Sequence, residues 1–362
     1  MKNFLTIILC ALSMTLLGQY DIKPTEKLDC TTVKSQDQTG TCWSFATASF
    51  LESELIRMGK GNVDLSEMFV VQNVYKDKAR NYLLRQGKAN FSQGSLSHDL
   101  IRVLREQGVM PESVFSGKLD ATSIHNHSEL EAGLKGFLDG LLQQKKLSSR
   151  WPIAFQSILD AYLGNCPDQF IYDGKTYTPQ SFAQELDLDA ENYMSITSFT
   201  HHPFYTNFVL EIPDNYSNGS YFNVKMDDLV DIVDNALKNG YTVAWDGDVS
   251  EKGFSSRQGL AILPLKNRLK PFKTPGKEVA VTQENRQAHF EDLSTTDDHL
   301  MHIVGSGTDQ NGTKYYLIKN SWGQVGPDNG YLYMSEAYFK MKTIALLVNK
   351  AGLPKSIARK VN

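Results

Sequence analysis

The chain has 362 residues, with 37 basic and 41 acidic side chains and a formal net charge of −4. No basic excess points to nucleic acid, and 4 cysteines in this length exclude a disulfide scaffold or a multi-cysteine zinc domain. With 41% hydrophobic and 22% charged residues the chain suits two globular domains at ~150 residues each, and beyond the N-terminus it has no run of ~20 apolar residues to make a stable membrane span.

Met1-Lys2-Asn3 precedes an apolar run over residues 4–17 and then Gly18-Gln19. A short positive start, an apolar stretch and a small residue read as a secretory signal over residues 1–18, with an N-terminal core helix as the alternative. The expected location is therefore periplasmic or secreted, with the cytoplasm as the other option. Behind that signal remain Cys30, Cys42 and Cys166, of which Cys30 and Cys166 are a candidate disulfide.

Helical periodicity dominates the first half. From Cys42, the residues Trp43, Ala46, Phe50, Leu51, Leu55 and Met58 recur at three and four, and Gly59 ends the run. Ser66 caps a second helix, and Ser95 or Ser97 caps a third that stops at Gly108. Leu130, Leu134, Phe137, Leu138, Leu141 and Leu142 form a strongly amphipathic fourth. Pro152 opens a fifth that ends near Gly164, and Thr178-Pro179 starts a short sixth. The second half keeps one helix near residues 227–238. Strand candidates follow at 241–245, 301–304, 314–319, 330–334 and 343–348, separated by turns with Gly, Asn and Asp. Helices first and strands later predict an α+β protein with unlike halves. The expected units are an N-terminal segment at 19–41, a helical domain at 42–195 and a strand-rich domain at 196–362.

The most informative stretch is residues 36–45, Gln-Asp-Gln-Thr-Gly-Thr-Cys-Trp-Ser-Phe. A cysteine at the first residue of a helix has its thiolate favoured by the helix N-terminus. Gly40 allows a sharp turn just before it. The Cys42 N–H and the Gln36 side chain are then two donors for an oxyanion. The plainer reading is a buried, inert cysteine in an ordinary helix.

A cysteine nucleophile needs a base and a group that orients it. Residues 297–305 place His299 and His302 where a turn enters a strand, and the two compete for the role of base. Being an odd number apart, they face opposite sides of a strand, and the other of the pair is then a packing or surface histidine. Residues 319–323, Lys-Asn-Ser-Trp-Gly, place Asn320 at the end of another strand. Its carbonyl fixes an imidazole tautomer without adding charge, and Trp322 shields that bond from water.

A cysteine followed by Trp or Tyr, with His and Asn downstream, is the papain signature. The chain resembles that clan, and within it the family of bleomycin hydrolase and bacterial aminopeptidase C. The words that carry the resemblance are Gln36 with Cys42-Trp43-Ser44-Phe45, then His299-Leu300-Met301, then Lys319-Asn320-Ser321-Trp322-Gly323. The family pattern selects His299 over His302. His299 lies ~260 residues after Cys42, against ~130–150 in papain and cathepsins, so ~110 residues are additional, as in the bleomycin hydrolase branch.

The resemblance implies a papain-like two-domain fold: a helical left domain with a helical insertion at 115–195, and a β-barrel-like right domain. It implies a cysteine-type peptidase, most simply an aminopeptidase, acting on peptides or unfolded proteins through Cys42, His299, Asn320 and Gln36. Gly94 would hydrogen-bond the substrate backbone, with Trp322 and Asp298 beside the site; Asp298 either tunes the ion pair or caps a turn. No metal and no organic cofactor are implied. The family assembles into barrel-like hexamers, which implies a homo-oligomer.

Two departures stand out. Papain-like secreted enzymes carry a cysteine two residues before the glycine, where this chain has Gln38, so that disulfide is absent. In the family, a tail of small apolar residues puts a terminal carboxylate on the substrate's free amine, whereas residues 352–362 here are basic. An endopeptidase with an open cleft is therefore the alternative within the class. A peptide-binding pseudoenzyme and an acyltransferase are the alternatives outside it. His201-His202 shows no ligand partner at short spacing, so it is not expected to hold a metal.

Overall fold

A computed structural model describes residues 19–120 and 122–361. The expected export signal over residues 1–18 lies outside the described residues. Strand β1 (Lys23–Lys27) is followed by helices α1 (Cys42–Arg57), α2 (Glu67–Leu84) and α3 (Ser97–Gln107). Helices α4 (Ser128–Leu142) and α5 (Trp151–Leu163) lead to a hairpin, β2 (Phe170–Tyr172) and β3 (Lys175–Tyr177), and to α6 (Pro179–Glu185). Strands β4 (Tyr193–Thr197), β5 (Asn207–Val209) and β6 (Ser220–Asn223) precede α7 (Met226–Lys238). Then come β7 (Val243–Gly247), β8 (Phe254–Ser255), β9 (Leu260–Ala261) and α8 (Gln283–Glu291). The long β10 (His299–Thr308), β11 (Lys314–Lys319), β12 (Tyr331–Ser335), α9 (Glu336–Lys342), β13 (Thr343–Asn349) and α10 (Lys355–Val361) complete the order.

Local chemistry explains the helix ends. Ser66 Oγ accepts from the Phe69 N–H at 3.0 Å and caps α2. Thr178 and Ser181 satisfy each other's backbone N–H groups at the start of α6, where Pro179 loses no intrahelical bond. Gly108 ends α3 at φ +88°, a conformation that glycine reaches without strain.

One mixed sheet runs in the order β5-β6-β4-β13-β7-β10-β11-β12-β9-β8. Strand β10 is its axis. Its first half pairs with β7, its second half pairs with β1 on the same side, and β11 runs along its other side. Side chains alternate between two clusters. Ala244, Leu300 and Leu347 face α1 and the helices of the first half, while Trp245, Met301, Ile303 and Leu346 face α7 and α9. Helix α1 is sandwiched between the sheet and the other helices, and Trp43, Phe50, Leu51 and Leu55 are all buried. Each such side chain contributes about 1.5–3 kcal/mol of burial free energy.

The fold is therefore a mixed α/β structure with ten α-helices among the described residues. The expected β-barrel-like half does not close. Closure needs the two end strands to pair. Here the ends are β5 and β8, of 3 and 2 residues, and the short β6 and β9 stand beside them. The sheet is also not confined to the C-terminal half, since β1 joins it beside β10. Residues 355–361 fold into α10, whose Ile357, Ala358 and Val361 pack on the cluster beneath α7. That is the sheet face opposite to α1.

Candidate active site

Cys42 is the first residue of α1 and is buried. The loop before it is tied down by Gln93, whose Oε1 accepts from the Gly40 N–H at 2.7 Å and whose carbonyl accepts from Trp43 Nε1 at 2.9 Å. Gln93 thereby holds the neighbouring Gly94 against the start of the helix. Burial pushes the Cys42 thiol up to about 12 against a hydrogen bond from the Leu300 backbone, and Asp297, Asp246 and Asp214 push it further in the same direction. The helix N-terminus works the other way, but burial outweighs it and keeps the thiol protonated.

His299 opens β10 and Asn320 follows the last residue of β11. His299 Nε2 and Asn320 Oδ1 are 2.8 Å apart. Since Oδ1 also accepts the Ser321 N–H at 2.8 Å, and Asn320 Nδ2 donates to Ser256 Oγ at 3.2 Å, the amide orientation is fixed. Nε2 of His299 is then the protonated nitrogen, and Nδ1 is left as the basic one. The Trp322 ring lies over the imidazole, with centroids 4.6 Å apart and planes 31° apart. Burial holds the His299 pKa down to about 4 against the Asn320 bond and the Asp298 charge, so the ring is neutral at pH 7.

Gln36 reaches the same place through a short antiparallel register. The Gln36 N–H donates to the Ser321 carbonyl at 2.8 Å and the Gly323 N–H to the Lys34 carbonyl at 3.1 Å. Gln36 Oε1 accepts from Ser321 Oγ at 2.7 Å, and one Nε2 hydrogen goes to the Thr39 carbonyl at 2.7 Å. The second hydrogen is available to a ligand. Cys42, His299, Gln36, Trp322 and Gly94 line one cleft of about 390 Å³ together with Asp214, Asp297 and Asp298.

Asp298 is engaged locally. It accepts from Thr296 Oγ1 at 2.7 Å and from the Ser250 N–H at 3.2 Å. Burial raises its pKa, but the bonds from Thr296, Asp248 and Ser250 outweigh it and leave the carboxyl below the usual range. It staples the loop in front of His299. The acids that stand bare are Asp297 and Asp246, with Asp214 nearby, and sequence reasoning missed all three. One signal existed: Ala244 and Asp246 share the inward face of β7, so an acid stands where an apolar residue belongs.

His302 is buried on the α1 side of the sheet, its Nδ1 2.9 Å from Ser49 Oγ, which also accepts from Lys319 Nζ at 2.7 Å. His201 and His202 do have a carboxylate partner, at odds with expectation: Glu211 lies 3.1 and 2.8 Å from their Nε2 atoms. The three could hold a divalent cation by distance. However, Gln287 Oε1 is taken by the Thr200 N–H, so its Nε2 donates to His201 Nδ1 at 3.0 Å and leaves the proton on Nε2. That tautomer binds Glu211 rather than a metal. The candidate Cys30–Cys166 disulfide is not formed: Cys30 Sγ is 3.3 Å from Tyr331 Oη, and Cys166 Sγ lies 4.0 Å from Met110 Sδ. Where papain-like enzymes have a cysteine, Gln38 bonds to residues 125–127. Its N–H donates to the His125 carbonyl at 3.0 Å, and its Oε1 accepts from Asn126 Nδ2 at 2.9 Å.

Residues 165–362 match the sequence profile of the Peptidase C1-like family, and residues 18–115 match that of the papain family cysteine proteases. The chain is 25% identical to aminopeptidase C of Listeria monocytogenes, over 91% of this chain and 82% of that protein. It is 23% identical to aminopeptidase C of Lactobacillus delbrueckii subsp. lactis, over 96% and 86%. It is 22% identical to the mitochondrial cysteine proteinase 1 of Saccharomyces cerevisiae, over 92% and 77%. Among solved structures, PepW from Lactobacillus rhamnosis superposes with a TM-score of 0.72 at 20% identity, covering 94% of this chain and 84% of that one.

Proposed function

We propose, from the premise that this chain belongs to the Peptidase C1-like family, that Cys42 is the nucleophile of an aminopeptidase. The chain is a cysteine peptidase. The observation that carries the assignment of roles is the His299–Asn320 bond at 2.8 Å, roofed by Trp322, in the cleft that Cys42 lines.

At rest both partners are neutral, because burial raises the thiol and lowers the imidazole. The thiol proton moves to His299 Nδ1 as Sγ attacks the peptide carbonyl carbon. The imidazolium that forms is held by Asn320 Oδ1, whose carbonyl dipole adds no net charge. The free Gln36 Nε2 hydrogen and the Cys42 N–H take the developing oxyanion. His299 then gives its proton to the leaving amine, and a thioester remains on Cys42. Water, deprotonated by the same Nδ1, hydrolyses the thioester and restores the thiol.

In this reading residues 42–195, including 115–195, form the helical left wall of the cleft and residues 196–362 the strand-rich right wall. Relatives named aminopeptidase C cover nearly the whole chain, which supports removal of N-terminal residues as the activity. Export through residues 1–18 and assembly into a closed oligomer belong to the same proposal. N-terminal sequencing of secreted protein and the mass in solution test them.

The experiment is a pair of peptides under reductant, one with a free N-terminus and one acetylated, with Cys42→Ala as control. Cleavage of the free peptide alone supports the aminopeptidase. Equal cleavage of both makes the protein an endopeptidase, and wild-type turnover retained by Cys42→Ala overturns the assignment of the nucleophile.

A further inference from the structure

Two aspartates line the cleft, Asp214 from the loop after β5 and Asp297 from the turn before β10, and a third, Asp246 on the inward face of β7, lies buried behind Asp297. Asp246 is 3% exposed, and neither of its carboxylate oxygens has a hydrogen-bond donor; Asp297 Oδ2 is likewise buried and bare. The two carboxyls lie within hydrogen-bonding reach of each other. Burial and the Asp214 charge push Asp297 up to about 7 against a hydrogen bond from Asp246, burial and Asp297 push Asp246 well above the carboxylate range, and Asp214 is also raised by burial.

Buried carboxylates of this kind are normally answered by a cation or by several N–H donors. The basic group acting on Asp214 and Asp297 is Lys78. Its Nζ is bonded to the carbonyls of Ser92, at 3.1 Å, and Gly94. It holds the cleft rim rather than the carboxylates. Asp214 also has a place made for it. A Cβ on Gly94 would stand 1.9 Å from Asp214 Oδ2, so only glycine lets this acid lie across the cleft floor. All three charges act on Cys42 Sγ in the direction that disfavours the thiolate.

We infer that Asp214 and Asp297, backed by the buried Asp246, form a cation subsite that takes a primary ammonium of the bound peptide beside Cys42. An ammonium in the cleft supplies Asp297 Oδ2 with the donor it lacks. It also cancels the negative field at Sγ, so a substrate carrying it is both placed and activating. The inference rests on the cleft being the peptidase site. It goes further by naming side chains that select the substrate, where α10 is docked on the opposite face of the sheet. The ammonium has two sources, the N-terminal amine and a lysine side chain.

The test uses three peptides: one with a free N-terminus, its acetylated twin, and an acetylated twin with lysine next to the scissile bond. Wild type, Asp214→Asn and Asp297→Asn are compared, with Asp297→Glu as the conservative variant. The wild type should prefer a cationic peptide, and each Asn variant should lower that preference in kcat/KM by ~10–100-fold, chiefly through KM, as loss of a charge-assisted bond requires. Asp297→Glu should restore part of it. A preference for the lysyl peptide alone keeps the subsite and assigns the ammonium to the side chain. Equal use of all three peptides, or a preference that survives in both Asn variants, overturns the inference. A second readout is independent of turnover: alaninamide, but not N-acetylalaninamide, should change the rate at which iodoacetamide alkylates Cys42 in wild type and not in Asp297→Asn. Equal rates in every case overturn it. Turnover retained by Cys42→Ala sinks the peptidase roles instead and leaves the alkylation result to be read separately.

Discussion

Ser321 bonds Gln36 with its hydroxyl, at 2.7 Å to Oε1, and bonds Asn320 with its N–H, at 2.8 Å to Oδ1. The oxyanion donor and the group that orients the base are thus positioned by one residue. Ser321→Ala leaves Gln36 Oε1 buried without its donor and frees the amide to rotate. The expected result is a fall in kcat of ~5–30-fold with KM little changed, since the lost order matters most in the transition state. Steady-state kinetics on a free-amine peptide measures it, and a change confined to KM would contradict it.

Asn320 fixes which imidazole nitrogen carries the proton. Asn320→Ala removes that choice and also the Ser256 contact. A fall in kcat of ~100-fold is expected, as for loss of an oriented general base. The pH profile should alter as well, because His299 loses a bond that raises its pKa. A variant with wild-type kcat would show that Asn320 does not orient the base.

Gly94→Ala puts a methyl where Asp214 Oδ2 lies, 1.9 Å away. The carboxylate must swing out, and Asn90 Nδ2, which donates to Asp214 at 2.9 Å, loses its partner. KM for a free-amine peptide should rise by ~10-fold or more, and by more than KM for the acetylated twin. Equal changes for the two peptides would assign Gly94 to backbone binding alone.

His127 is 2% exposed and neither ring nitrogen has a hydrogen-bond partner. Burial, helped by His125, holds its pKa down to about 4. The unfolded chain takes a proton near pH 6.5 and the folded chain does not, so stability present above pH 6.5 is lost as pH falls towards 4. Glu67 and Glu112, pushed up by burial to about 7 and about 8, act in the opposite sense and lose stability as pH rises. Comparing variant with wild type cancels them. His127→Phe should lose less stability between pH 7 and pH 5 by ~1–2 kcal/mol, read from urea unfolding midpoints. Parallel losses would mean that His127 is protonated in the fold.

Sequence pattern and structure agree where local chemistry decides. Strand β11 spans residues 314–319 as the pattern predicts, and α1 starts at Cys42 and ends just before Gly59. Strand β10 runs four residues past the expected 301–304 because Gly305 and Gly307 carry no side chain to continue the apolar pattern. They serve a different purpose: a Cβ on Gly305 would stand 2.3 Å from the Glu26 carbonyl, so these glycines let β1 approach. Helix α8 leaves no apolar trace because its buried face is Arg286 and Gln287. Strands β4–β6 are 3–5 residues long and are held by a sheet assembled from distant segments. The cleft divides in the same way. Cys42, His299 and Asn320 each sit in a short distinctive word, whereas Asp214, Asp246 and Asp297 become neighbours only in the folded chain.

The clamp around Gln38 bears on how the enzyme tolerates its surroundings. The loop that presents Cys42 is fastened to residues 125–127 by hydrogen bonds of Gln38 and by Asp37 Oδ2, which accepts from the His125 N–H at 3.1 Å, with no sulfur among them. A nucleophilic thiol is lost to oxidation unless reductant is present. A crosslink made of sulfur would be cut by that same reductant, so protecting the nucleophile would loosen its support. Here the two demands are decoupled: glutathione or dithiothreitol can hold Cys42 as a thiol while the fastening beside it has nothing to be reduced.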